Sequence, residues 1–299
     1  MLQTAYTATA VKKKRKHKKL YLNRSRGGNA LIFLFLSVFG VFMILPLIYS
    51  FSSALKPLDE LWMYPPRFFV QNPTMKNFRD LFGLMGDSWV PFSRYLFNTL
   101  LVSVIGTGGH VVIASLCAYA LAKHDFPGRD IVFKMIVLSL MFSTAVTGVP
   151  SFLIMSKLHM VNTYSAFILP AFASSLGLYL MKQFMETNIP DALIESAHID
   201  GAGEWLIFWK LIMPLVKPAW LTLIIFSFQG LWNTSSSVLI QSEELKTLNY
   251  ALSQIVSAGI ARSGTAAAAT IIMMLVPILI FVVSQSNIVE TVATSGMKD

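Results

Sequence analysis

Three observations predict an all-α, polytopic membrane fold with six transmembrane helices. First, 55% of the 299 residues are hydrophobic and only 13% are charged, about half the charge of a soluble domain. Second, six stretches of 22 or more residues contain no Asp, Glu, Lys or Arg: Gly27 to Leu55, Tyr95 to Ala122, Met135 to Ser156, Leu158 to Met181, Pro218 to Ser242 and Ser263 to Val289. Each exceeds the roughly 20 residues that a helix needs to cross a hydrocarbon core, and lipid offers the backbone no partner outside the helix itself. Third, with the amino end inside, six crossings put 16 of the 24 Lys and Arg inside and 8 outside, the sign expected of a cytoplasmic excess.

The amino-terminal residues 1–28 hold nine of those inner charges, from Lys12 to Arg26. Beside a span, such a run reads as a cytoplasmic tail facing anionic membrane lipid and not as a nucleic-acid arm. The apolar run that follows is far longer than a signal-peptide core, so it reads as an uncleaved anchor. Span one, near Asn29 to Ala54, carries Pro46 as a kink toward its outer end. The outer loop Leu55 to Ser93 is punctuated by Pro57, Pro65, Pro66, Pro73 and Pro91 and holds Trp62, Tyr64, Phe68 and Phe69, which suit either a cap or a docking surface.

Span two contains Gly106, Gly108 and Gly109. Their spacing fails the dinucleotide fingerprint, and small residues in an apolar helix let a neighbouring helix approach closely. His110 is the only ionisable side chain deep in that span. A helix-interface hydrogen bond is the favoured reading, ahead of a pore-lining or proton-binding role. The single cysteine, Cys117, excludes a disulfide within one chain.

Lys123-His124-Asp125-Phe126-Pro127-Gly128-Arg129-Asp130 makes a tight charged inner turn. Span three, Val132 to Met155, is expected to bend or unwind near Gly148 and Pro150, and span four, Tyr164 to Phe184, carries Pro170. The segment 187–214 then reads as an inner loop of two short helices. Pro190 and Asp191 suit the start of the first, Gly201 its left-handed close, and Ala202 to Leu211 the second. Pro214 and Pro218 keep that helix from running straight into span five, Ala219 to Ile240. Gln229, Trp232 and Asn233 are the polar and aromatic candidates there for a solute path, and they serve equally well as packing between helices. Thr247 to Ala261 is too short to cross and is expected to lie as an outer surface helix. Span six, Ser263 to Ser284, closes a membrane domain spanning 29–285, and 286–299 reads as an inner tail.

Enzyme chemistry is missing. There is no G-x-x-x-x-G-K-[ST], no H-E-x-x-H and no G-x-S-x-G. Glu195 and His198 have the E-x-x-H spacing of di-iron bundles, but the spans supply none of the further carboxylates such a site needs. No metal, no cofactor and no catalytic residue is expected. Ion-driven transport commonly relies on charges inside the membrane, and the spans lack them. Energy is therefore expected from a separate motor, with the inner loop as its handle; the alternative is a secondary transporter or channel with its own driving force.

At this loop the sequence resembles a known family. Glu195-Ser196-Ala197, then Gly201, nine residues, and Leu211-Ile212-Met213-Pro214 are similar to the E-A-A-x-x-x-G-x9-I-x-L-P signature of the membrane subunits of bacterial ABC importers. Ser196, Leu211 and Met213 depart from the common form but keep its size or apolarity. Trp232-Asn233 resembles a motif of the carbohydrate-uptake, maltose-type branch, with Thr234 where an acid is common, and Thr294 to Lys298 resembles its terminal tail. The resemblance implies a permease subunit for a sugar or oligosaccharide. Its implied partners are a second homologous permease subunit, two ATP-binding ATPase subunits and an extracytoplasmic solute-binding protein, in a cytoplasmic membrane with both termini inside. It also implies that Glu195, Ser196, Ala197, His198, Asp200, Gly201, Ala202 and Pro214 couple the loop to the ATPase, with Gly201 as the corner.

Overall fold

The computed structural model describes residues 26–86, 89–235, 238–257, 259 and 262–295. The basic run Lys12 to Arg24 and the tail residues Gly296 to Lys298 therefore lie outside the described residues. The chain divides between Ile48 and Tyr49 into two compact units.

The first unit holds the amino-terminal part of helix α1, Arg26–Leu55, which continues through Pro46. Its side chains from Leu31 to Ile48 are all exposed. Such a surface carries no hydrophobic penalty among lipid tails.

In the second unit, the loop after α1 is a built cap. It holds α2, Leu58–Leu61, and the amphipathic α3, Lys76–Gly86. Buried Glu60 accepts the backbone N–H of Gln71 at 2.8 Å and of Asn72 at 3.3 Å. Asn77 Nδ2 donates to Ala54 O at 2.8 Å and Lys56 O at 2.7 Å. These bonds satisfy groups that burial would otherwise orphan. Tyr64 stays exposed.

The long helix α4, Phe92–Lys123, forms the centre. Beyond the Gly128 turn come α5, Arg129–Ser139, and α6, Thr144–Lys157. The expected break near Gly148 and Pro150 lies earlier, at Leu140 to Ser143; Pro150 is inside α6, which supports it as a continuous helix. Helices α7, Ser165–Phe172, and α8, Ser175–Asn188, follow, separated just after Pro170. Next come α9, Asp191–Ile199, and α10, Glu204–Leu215. A bend of 79° leads from α10 into α11, Lys217–Trp232. Lys217 and Pro218 open α11 where no intrahelical bond to a proline N–H is needed. The short α12, Leu248–Ser257, and α13, Ser263–Ser295, complete the chain. Helix α13 continues through 286–295, which the sequence reads as a separate tail.

Among the described residues four stretches are long and apolar enough to cross a membrane, in α1, α4, α7 and α8 taken together (Ser165–Asn188), and α13, and a fifth joins them if α10 and α11 count as one bent span. The third charge-free run is divided between α5 and α6, of 11 and 14 residues, each shorter than a span.

Helix α4 packs against α7, α8 and α11. A Cβ at Gly106 would stand 2.5 Å from Leu231 Cδ1, and one at Gly109 would stand 2.1 Å from Phe172 Cε1. Both glycines are contact points, as small residues in apolar helices commonly are. Gly108 has nothing within 4 Å and plays no such part.

Candidate functional site: the loop from α9 to α10

The turn at the centre of the loop follows from one residue. Gly201 has φ +79°, a conformation that costs a residue with a Cβ about 1–2 kcal/mol. With it, Gly201 N–H donates to His198 O and Ala202 N–H to Ala197 O, each at 3.0 Å. This pair of bonds closes α9 on its own last carbonyls. The chain then enters α10, where a π-helical stretch over Ile207–Ile212 buries Ile207, Phe208 and Ile212. Ala197 and Ala202, half-buried on either side of the turn, pack against that core.

Glu204 fastens the loop to the end of α4. Its Oε2 accepts the Tyr119 hydroxyl at 2.9 Å and lies 3.5 Å from His124 Nε2, while its Oε1 lies 2.9 Å from His198 Nε2. Burial pushes the Glu204 carboxyl up, but the hydrogen bonds from Tyr119 and His198 and the neighbouring imidazoles outweigh it and hold the pKa below its ordinary value. A second tie runs from Lys123 Nζ to Ile189 O at 2.5 Å and to Asp191 Oδ1 at 2.7 Å. The Lys123 side chain is nearly buried, whereas Asp191 is open to solvent.

His198 therefore pairs with Glu204 and not with Glu195 of the E-x-x-H spacing. Glu195, Asp200, Gly201 and Pro214 are exposed, and the Ser196 hydroxyl bonds Leu193 O at 3.0 Å. Ile199 and Trp205 stand out from the loop at 86% and 67% exposure, large apolar side chains on an otherwise tied surface. Tyr119 and Glu204 went unmarked in the sequence, and Lys123 and His124 read only as part of the charged inner turn, with no tie to the loop. The only signal for them is the charged Lys123-His124 pair closing a long apolar run.

The three candidates on α11 separate. Trp232 is 1% exposed, its indole N–H donates to Met273 O at 2.9 Å, and it stacks on Phe228; it joins α11 to α13. Gln229 is exposed, near Pro277 and Phe281. Asn233, also exposed, caps α11 through Nδ2 on Gln229 O at 2.9 Å.

Among the described residues an all-helical architecture, with several apolar stretches long enough to cross a membrane, defines a polytopic membrane protein. The chain belongs to the family of binding-protein-dependent transport system inner membrane components, which it matches over residues 110–293. It is 28% identical to the arabinooligosaccharides transport system permease protein AraQ of Bacillus subtilis over 265 residues, covering 86% of this chain and 93% of that one. It is 32% identical to the sn-glycerol-3-phosphate transport system permease protein UgpE of Yersinia enterocolitica over 200 residues, 66% of this chain and 70% of that one. Its fold is similar to a chain in the crystal structure of a bacterial ABC transporter involved in the import of the acidic polysaccharide alginate. There the TM-score is 0.73 at 22% identity, over 88% of this chain and 98% of the other.

Proposed function

We propose that this chain is the permease subunit of an ABC importer for a sugar or oligosaccharide, and that segment 187–214 is its cytoplasmic coupling loop. In this reading the chain crosses the membrane six times with both ends inside, α5 and α6 together making the third crossing. It pairs with a second homologous permease, takes solute from an extracytoplasmic binding protein, and is driven by two ATPase subunits. It performs no catalysis of its own.

The observation that carries the reading is the anchorage of the loop on α4 through Glu204. A push delivered to exposed Ile199, Trp205 and the α9 face passes through Glu204 and Lys123 into the central helix, because neither tie leaves the loop free to move alone. Glu195 and Asp200, exposed beside the turn, offer carboxylates to basic groups on the ATPase, and the small Ala197 and Ala202 hold the turn close against the core of the chain itself. The names of relatives that carry arabinooligosaccharides and polygalacturonan-type chains support a saccharide cargo.

The test is Gly201→Val in the assembled transporter. Uptake is expected to fall more than tenfold, and ATP hydrolysis to lose its response to solute, while the amount of protein in the membrane is maintained. Normal uptake with normal solute-stimulated hydrolysis would sink the coupling role.

A further inference from the structure

The imidazole of His110 sits midway along α4, 2% exposed, and its Nδ1 has no hydrogen-bond partner. The ring lies against the Phe172 backbone at the end of α7, the helix-interface contact expected from the sequence, but Nδ1 itself makes no hydrogen bond. Room for the ring comes from Gly177 of α8, where a Cβ would stand 2.1 Å from His110 Nε2. Beside the ring lies a cavity of about 270 Å³, lined by His110, by Ser174 and Gly177 at the break between α7 and α8, and by Ser227 and Gly230 of α11.

A buried polar atom without a partner costs about 1–3 kcal/mol, and an ionisable side chain inside a membrane commonly marks a solute route. His110 is not alone. Ser103 Oγ and Thr107 Oγ1 are also buried without partners, and the spacing 103, 107, 110 puts all three residues on one face of α4. Three of the four such atoms among the described residues thus fall on one stripe of α4, and of these three residues His110 is the one that lines the cavity.

The chemistry of the lining selects a ligand class. No Lys or Arg lines the cavity, so a carboxylate or phosphate there would be buried without a counter-charge, at a cost of several kcal/mol. An imidazole and two serine hydroxyls can instead donate to and accept from neutral hydroxyl groups. The rest of the lining is apolar, Phe226 included, and suits the faces of a sugar ring.

We propose that this cavity is a solute subsite in which His110 hydrogen-bonds a hydroxyl of one ring of a neutral saccharide. The subsite rests on the sugar-importer reading above and narrows it to uncharged cargo.

The assembled transporter, reconstituted in proteoliposomes with its binding protein, is given radiolabelled arabinotriose, xylotriose, maltotriose and trigalacturonate. The wild type is expected to take up at least one neutral trisaccharide with kcat/KM at least tenfold above that for trigalacturonate. His110→Ala is expected to raise KM for that sugar about tenfold with a smaller change in kcat. His110→Gln, which keeps a donor and an acceptor, recovers most of the loss, and Ser227→Ala raises KM two- to fivefold. A KM unchanged in both His110→Ala and Ser227→Ala, or a loss confined to kcat, overturns the subsite while leaving the importer reading intact. Wild-type preference for trigalacturonate does the same. Absence of ATP-dependent uptake of all four probes overturns the sugar reading and the subsite with it.

Discussion

The Tyr119 hydroxyl, in the last turn of α4, donates to Glu204 Oε2 at 2.9 Å across 85 positions of sequence. Through this bond the loop after α9 and the central helix share one carboxylate, which also meets His198 and His124. Any movement of the loop must carry α4 with it or break the bond.

Tyr119→Phe removes the donor and little else. A hydrogen bond of this kind contributes about 1 kcal/mol, less where solvent reaches the carboxylate. Amide hydrogen exchange over residues 191–206 is expected to accelerate a few-fold, with exchange in the α4 centre unchanged. An identical exchange pattern in the variant would mean that packing alone holds the loop.

The lowered pKa of Glu204 sets a direction for pH. A carboxyl whose folded pKa lies below its unfolded value stabilises the fold above the unfolded value, and that contribution is lost as pH falls through the folded pKa. Protection of the loop is therefore expected to hold at neutral pH and to decline only below the ordinary glutamate range. Glu204→Gln is expected to start with weaker protection and to lose this acid-dependent step. Exchange measured from pH 3 to 7 on both proteins checks it.

Gly108 and Gly109 are neighbours with opposite expected tolerance. Gly109→Ala places a methyl against the Phe172 ring, inside contact distance of Cε1, Cζ and Cδ1. Overpacking of this kind costs about 1–3 kcal/mol. Gly108→Ala meets nothing within 4 Å and gains about 0.5–1 kcal/mol in helix propensity. Thermal unfolding in detergent is expected to order the proteins Gly108→Ala, wild type, Gly109→Ala, from highest to lowest.

At the other end of α4, buried Asn98 donates to Glu244 O at 2.8 Å and Lys246 O at 2.9 Å and accepts the Tyr164 hydroxyl at 2.7 Å. Asn98→Leu strips three groups of their partner at once. A loss of about 3 kcal/mol is expected from orphaning them, read as a lower thermal midpoint and as faster proteolysis in the 241–248 segment. Asn98→Asp restores only the acceptor and is expected to fall between.

The class of the fold was legible in composition and in the placement of charge, because a membrane leaves a chain few choices: long apolar runs must be helical. The corner of the loop was legible too, since only glycine adopts φ +79° at little cost, and Gly201 stands six residues after Glu195. The sequence also identified the small-residue contact on α4, but not which glycines make it. That depends on which side Phe172 and Leu231 approach from, and Gly108, between two contact positions, faces away. The break in the third run was misplaced for a related reason. Proline restricts the backbone locally, but α6 absorbs Pro150 and the chain parts at Leu140 to Ser143.

What sequence alone determined is a many-helix membrane chain with a turn at Gly201, because those features depend on residues close together along the chain. Only the tertiary structure decided that Glu204 ties the loop to Tyr119, that Trp232 donates to the Met273 carbonyl, and that His110, its Nδ1 without a partner, sits beside a cavity lined by Gly177 and Ser227. Those are relations between residues tens of positions apart. Side-chain chemistry makes each pairing feasible, and only the packing of α4 against its neighbours selects which ones form.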